Sequence, residues 1–463
     1  MAVAAGVVVL CAFGQSRGAE VPSGVSDAIE RKDYARAMAL LEPAVKRGDP
    51  RALTMAGLLC ANALADRCPS HRAIALLTPG AEAGDSSAQH ALARALFSAR
   101  PPRAEEARAW LERAAGQGHA MALFELGQAE TASEDPGLVQ RGARRLRRSA
   151  ERQFAPAQLA LASLYEAGRG VAEDPGQAAR WYRAAAEQGH PVAQTRLGSL
   201  YERGHGVPRD ARAADRWYRA AASAGYVEAQ YDLGLMYMLG EVVKPRYYEG
   251  VRWLRKAAEA GYAKAQDALG RAYHQGVGVR QDRKEALRWF RLAGEQGYAV
   301  AQTNAGVIYE GDFYLRDYGL AAEWYERAAK AGYGPAMIRL GDLYQAGTGV
   351  PRSLSVAQRW WATAAKSEDP EIAAQARQRM RAGLSSALEL GVAMFGLGDR
   401  FPTPGEVFDA IIAAGIAEKT LYPHAARPVD QDLRAAYDEV DRINRERQER
   451  WNEDTLNGLM MKP

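Results

Sequence analysis

Apolar and polar positions along this chain follow a helical period, and the helical stretches come in pairs. The segment PVAQTRLGSLYERG, starting at Pro191, sets Ala193, Leu197, Leu200 and Tyr201 at i, i+4, i+7 and i+8, one face of a helix. A second amphipathic stretch, ARAADRWYRAAASAG, starts at Ala211 and carries the pattern Ala-x-x-Trp-aromatic-x-x-Ala-Ala. Between them lies YERGHGVPRD. There Gly204 suits the left-handed residue that ends a helix, Gly206 lets the chain turn again, and Val207 can drop an apolar side chain under the turn. Asp210 can cap the second helix by accepting its free N–H groups, as Asp174 can one unit earlier, with Pro175 at the first helical position.

The pair is a repeat. Its loop returns as YEAGRGVAED at 165, YHQGVGVRQD at 273 and YQAGTGVPRS at 344. Ala-Gln pairs at Ala157, Ala193, Ala229, Ala265 and Ala301 fall 36 residues apart, as do Trp181, Trp217, Trp253 and Trp289, with Trp324 and Trp360 close to the same step. One hairpin of this size cannot bury its own apolar face, whereas stacked hairpins can. The pattern therefore predicts an all-α chain, a right-handed α-solenoid of about nine to ten stacked helical hairpins. Alanines at facing positions permit close approach, Gly198 leaves room for a neighbouring backbone, and the Trp and Tyr rings supply contact area.

The 36-residue unit, Ala-x3-Leu-Gly-x-Leu-Tyr-x2-Gly-x-Gly-Val-x2-Asp, resembles the Sel-one-like repeat, a branch of the tetratricopeptide superfamily. The resemblance is specific over residues 155–367, the regular repeats. It weakens over 20–154, where units start near Asp49, Ser87 and His119 after a tetratricopeptide-like hairpin at 25–48. Residues 368–463 depart from the period and read as a C-terminal helical extension or cap. Within them 371–396 suggests one or two helices, Thr403, Pro404 and Glu406 suggest a capping box, and Leu433, Tyr437, Val440 and Ile443 form one apolar stripe. The resemblance implies partner binding along a concave face, where Arg196, Tyr231, Asp232, Asn304 and Arg339 occupy variable first-helix positions.

Hydrophobic residues make up 48% and charged residues 25% of the 463, ordinary for a folded chain, and the net charge of +4 gives no reason to expect nucleic acid. The opening run, MAVAAGVVVLCAFG, is too short to cross a bilayer and reads as the apolar region of a secretory signal, assigned to residues 1–19. Export would place the protein in the periplasm or outside the cell; without it the protein is cytoplasmic. Cys60 and Cys68 then form an even pair, a candidate disulfide in an exported protein or two buried thiols in a cytoplasmic one. Cysteine-rich members of the resembled family link their hairpins across the same spacing at a different place in the unit.

Little here points to catalysis. The Gly-x-Gly loops follow helices and lack the Lys-Ser/Thr of a phosphate loop, and the histidines show no metal-ligand spacing, with His119 and His190 at inter-unit turns where exposure is expected. No catalytic residue, metal or cofactor is assigned. Three departures from the repeat stand out instead. RGARRLRRSAERQ gathers Arg141, Arg144, Arg145 and Arg148 on one broad helix face, with Arg145 in the tryptophan slot; it is either a solvated face or a patch for an acidic protein or anionic polysaccharide. YMLGEVVKPR at 237 loses the second glycine, and YEGDFYLRD at 309 is one residue short and carries Phe313 and Tyr314, better recognition candidates than any loop glycine. The expectation is a non-enzymatic scaffold for protein–protein interactions in the bacterial envelope, serving an export or polysaccharide-secretion assembly. The alternative that the resemblance carries is a cell-wall or β-lactam-related enzyme or binding protein.

Overall fold

The computed structural model describes residues 24–61, 68–240 and 245–395, with side chains through 383. Regular secondary structure among these residues is entirely helical, and the chain divides into two compact units, 1–224 and 225–463. In the first unit the helices pair as α1 (Val25–Glu30) with α2 (Tyr34–Lys46), α3 (Pro50–Ala61) with α4 (Ser70–Glu82), and α5 (Ser86–Phe97) with α6 (Ala104–Gly116). They continue as α7 (Ala120–Thr131) with α8 (Pro136–Glu151), α9 (Ala155–Ala167) with α10 (Pro175–Glu187), and α11 (Pro191–Arg203) with α12 (Ala211–Ser223). In the second unit α13 (Val227–Leu239) pairs with α14 (Tyr247–Glu259), α15 (Ala263–Gln275) with α16 (Arg283–Glu295), α17 (Ala299–Gly311) with α18 (Tyr318–Lys330), and α19 (Gly334–Ala346) with α20 (Leu354–Ala364). A single long helix, α21 (Pro370–Phe395), packs on α19 and α20 and buries Ala373, Ala376 and Met380. The signal segment, the capping box at Thr403 and the stripe from Leu433 to Ile443 lie outside the described residues.

In most of the hairpins a glycine on the first helix faces a large side chain on the second. Gly198 on α11 lies under the ring of Tyr218 on α12, where a Cβ would sit 2.9 Å from Cδ1. The same pairing brings Gly127 to Leu146, Gly234 to Leu254, Gly270 to Phe290, Gly306 to Tyr325 and Gly341 to Trp361. The expected role of Gly198 is thus corrected: it makes room for a ring of its own hairpin, not for a neighbouring backbone. The ring it receives is also not the periodic tryptophan. Tyr182, Tyr218, Tyr325 and Trp361, each one residue after that slot, are the largest fully or nearly fully buried side chains; of the periodic tryptophans, Trp181, Trp217, Trp253 and Trp360 are half-buried, while Trp289 and Trp324 are buried at 7% and 5% exposure.

Successive hairpins are joined through buried glutamines. Gln158 and Gln194 donate from Nε2 to the carbonyls of Ala150 and Ala186, which end the second helix of the preceding hairpin, at 3.2 and 3.1 Å. In the second unit Gln266 and Gln302 do the same for Ala258 and Gly294, at 3.1 and 2.8 Å. Carbonyls at a helix end have no intrahelical partner, so a buried amide supplied by the next hairpin satisfies one of them and fixes the stacking distance.

The loops do the remaining work of register. Gly204 ends α11 at φ 73°, Asp210 caps α12 by accepting from Arg212 and Ala213 N–H, and the Asp210 N–H donates back to the Tyr201 carbonyl at 2.9 Å. Gly206 has a second duty. Its φ is 70°, and a Cβ there would lie 2.1 Å from the carbonyl oxygen of Pro175, at the start of the preceding hairpin's second helix. Gly206→Ala should therefore cost about 2–4 kcal/mol, against about 1 kcal/mol for Gly189→Ala, where φ is equally positive but no atom stands within 4 Å. Urea titration of the two variants measures the difference; equal costs would mean that only backbone strain matters.

Candidate functional site

The basic run lies on α8, whose side chains do not all stay free. Glu130, near the end of α7 and only 6% exposed, accepts from Arg141 Nε at 2.8 Å through one carboxylate oxygen and pairs with Arg145 Nε at 3.0 Å through the other. Arg145, 16% exposed, also forks its Nη1 and Nη2 onto Glu112 of α6 at 2.9 and 3.0 Å. Arg147 donates to the Tyr165 hydroxyl. Arg144 and Arg148 are exposed. Together Arg141, Arg144, Arg145 and Arg148 line a cleft of about 360 Å³ with Glu112, Ala115, Gly116 and Leu123.

The second departure from the repeat stands on the second unit. Phe313 and Tyr314 are 78% and 87% exposed, the two most exposed large apolar side chains among the described residues, with their rings edge-to-face at 5.3 Å. The loop beneath them is anchored. Asp312, 6% exposed, accepts Tyr314 and Leu315 N–H on one oxygen, at 2.8 and 2.9 Å, and Arg283 Nη1 on the other at 2.9 Å. Burial works against the charge on Asp312, but the Arg283 bond and the two N–H donors outweigh it and hold the carboxyl below its ordinary range. Rigid backbone thus presents two rings to solvent.

The first-helix positions divide. Arg196 and Arg339 are exposed, the latter with Nη1 3.8 Å from Glu310 Oε2, and Asp232 is half-buried. Asn304 is engaged, donating to Asp267 Oδ1 at 2.7 Å, while Arg271 Nε pairs with the other Asp267 oxygen at 3.1 Å. Tyr231 corrects the expectation: at 6% exposure, with its ring edge-on to Tyr262 at 5.4 Å, it packs inside the second unit and offers little surface to a partner. The sulfurs of Cys60, at the end of α3, and Cys68, just before α4, lie at bonding distance, 2.01 Å, with Cα atoms 5.2 Å apart.

Two arrangements escaped the sequence. The buried tyrosines donate to a glutamate on the partner helix: Tyr182 to Glu166 at 2.6 Å, Tyr218 to Glu202 at 2.9 Å and Tyr325 to Glu310 at 2.6 Å. Burial, and then the adjacent carboxylate, pushes the Tyr182 and Tyr325 phenols upward, so both stay neutral donors. His119, expected in solvent, is half-buried instead; its ring stacks on His90 at 4.8 Å, and its Nδ1 caps α7 by accepting Ala122 N–H at 3.3 Å. His90 Nε2 is 3.1 Å from Glu125 Oε1. No group of three acidic, histidine or cysteine side chains able to hold a metal occurs among the described residues, and no described helix is long and apolar enough to cross a membrane.

Against this geometry the comparisons are consistent. A family model described as the Sel1 repeat matches residues 26–49, 86–119, 155–190, 191–226, 227–262, 263–298, 299–333 and 334–369, more than half the chain. It passes over α3 with α4 and α7 with α8, the hairpins that hold the cysteine pair and the arginine cluster. Among solved structures, a Sel1 repeat protein from Oxalobacter formigenes is 32% identical with a TM-score of 0.50, over 65% of this chain and 90% of that one. The protein c5321, a protective antigen present in uropathogenic Escherichia coli strains and displaying an SLR fold, is 22% identical with a TM-score of 0.54, over 87% of this chain and 96% of its own. No curated protein matches the sequence.

Proposed function

Because the chain belongs to the Sel1 repeat family, whose solenoids generally mediate protein–protein interactions, we propose that it is a non-enzymatic scaffold of the bacterial envelope, serving an export or polysaccharide-secretion assembly. The observation that carries the reading is the Phe313–Tyr314 pair. Two large rings held out on a loop fixed by Asp312 and Arg283 lose little conformational entropy on docking and gain their whole apolar area when a partner's pocket covers them. The envelope part draws on the apolar opening run and on the cysteine pair, since bonded cysteines persist in oxidising compartments.

Affinity capture from envelope extracts tests the docking loop. Replacing Phe313 and Tyr314 together by alanine should leave the melting curve within about 0.5 kcal/mol of the parent, because neither ring is packed, while removing at least one captured protein. An identical set of captured proteins would sink the loop as a docking element. Fractionation tests the compartment: a cytoplasmic protein with residues 1–19 intact and all three cysteines, Cys11, Cys60 and Cys68, titrating as thiols overturns it. Acylation of the native but not the heat-denatured protein by a labelled penicillin would favour an enzyme of cell-wall chemistry instead.

A further inference from the structure

We infer that the cleft between α6 and α8 docks an acidic polypeptide segment, and that the Glu112 carboxylate occupies it as a tethered stand-in. This rests on the chain being an interaction scaffold, but not on the Phe313 loop.

The cleft lies where the repeat is broken. Trp110 and Trp181 fill the corresponding slot in the flanking hairpins, and Arg145 replaces them. Arg145 divides its guanidinium between two unequal partners. Its Nε edge faces Glu130, which is buried and shared with Arg141, in an ion pair at 3.0 Å. Its Nη1–Nη2 edge holds Glu112, a side chain 44% exposed that can swing into water at little cost. A carboxylate from another chain could take over the same two-pronged contact, leaving the guanidinium in place. Geometry fixed in advance is what makes such a fork selective.

Charge and shape point the same way. Four arginines are set against only two carboxylates, Glu112 and Glu130, and Arg144 and Arg148 have no ion-pair partner among the described residues. Arg141, Arg144, Arg145 and Arg148 stand at i, i+3, i+4 and i+7, a stripe about 10 Å long. Carboxylates two residues apart on an extended chain are about 7 Å from each other and fit along it. Ala115 and Leu123, buried at 2% and 1% exposure, form the floor beneath the arginines, so the surface the cleft offers is predominantly cationic. An acidic sugar chain would meet the same arginines, but none of the lining residues offers the aromatic platform on which sugar rings stack.

The test uses the full chain and a fluorescein-labelled peptide, Gly-Glu-Glu-Leu-Glu-Glu-Leu-Glu-Glu-Gly, read by fluorescence anisotropy. The peptide should bind, more weakly as salt rises, and Arg144→Glu with Arg148→Glu should weaken binding about tenfold or more. Glu112→Gln should tighten it about threefold, because the stand-in no longer competes for Arg145. That change is nearly isosteric at a half-exposed site, so it remains informative even where the charge reversals disturb folding. Binding indifferent to the charge reversals, or unchanged or weakened by Glu112→Gln, would overturn the inference. So would a uronate oligosaccharide of equal charge that binds more tightly than the peptide. Neither result bears on the Phe313 loop, whose capture experiment is separate.

Discussion

Tyr218→Ala is expected to destabilise the first unit by about 3–5 kcal/mol, whereas Trp217→Ala, one residue away, should cost about 1–2 kcal/mol. Tyr218 is 2% exposed and fills the space that Gly198 leaves, and its hydroxyl donates to Glu202 at 2.9 Å. Alanine there opens a cavity in the middle of the hairpin and removes one hydrogen bond to the Glu202 carboxylate. Stacked repeats share stability with their neighbours, so the loss should broaden or split the unfolding transition of the first unit as well as shift it. Tyr218→Phe keeps the ring and removes only the hydroxyl, at about 1 kcal/mol. Urea unfolding followed by circular dichroism separates the three variants; a Trp217 variant as damaged as the Tyr218 variant would refute the assignment of the inner ring.

The tryptophans belong to a different environment. Trp253 carries the Lys256 ammonium 4.2 Å from its ring centre, and Trp324 carries the Arg327 guanidinium at 4.7 Å. Trp324 is buried at 5% exposure beneath its cation, whereas Trp253, like Trp217, is half-buried, part packed and part solvated. Truncating such a half-buried ring loses area without leaving a closed void.

This contrast shows where the sequence stops being informative. The period, the loop glycines and the caps could be read directly because each is local: a positive φ after a helix and a carboxylate before the next depend on a few neighbouring residues. Which of Trp217 and Tyr218 turns inward depends on a glycine twenty residues earlier, and adjacent residues on a helix both lie near the edge of an apolar stripe. The Ala-Gln pairs were legible as a ruler, but the carbonyl each glutamine satisfies belongs to the hairpin before. The candidate site was legible to a similar depth. Phe313 and Tyr314 stood out because a shortened loop that keeps two aromatics cannot hide them under itself. The carboxylates that brace Arg145 come from 15 and 33 residues away, so a run of arginines gave no sign of which would be tied down. Tyr231 and His119 were misplaced for the same reason: their neighbours Tyr262 and His90 come from adjacent hairpins.

His119 gives the second large effect, a loss of stability in the first unit as pH falls from about 6.5 to about 4. Burial first, and then the neighbouring His90 ring, lower its pKa to about 4, against the opposing pull of Glu125. The folded chain therefore leaves His119 unprotonated over a range in which the unfolded chain, with an ordinary histidine, takes up a proton. The state that binds the extra proton gains as pH drops, so a contribution of about 3 kcal/mol, complete above pH 6.5, is lost progressively and is gone near pH 4. The structural cause is specific: Nδ1 must keep its lone pair to cap α7 at Ala122, and a positive charge on His119 would sit, largely buried, against the stacked His90 ring, with Glu125 close by. Asparagine is a good cap and does not titrate, so His119→Asn should match the parent at neutral pH and flatten the decline between pH 6.5 and 4. Urea midpoints across that range decide it. A variant that declines as steeply as the parent would move the acid sensitivity elsewhere, with the Glu125 carboxylate, held below its usual range by the His90 hydrogen bond despite burial, the next group to replace.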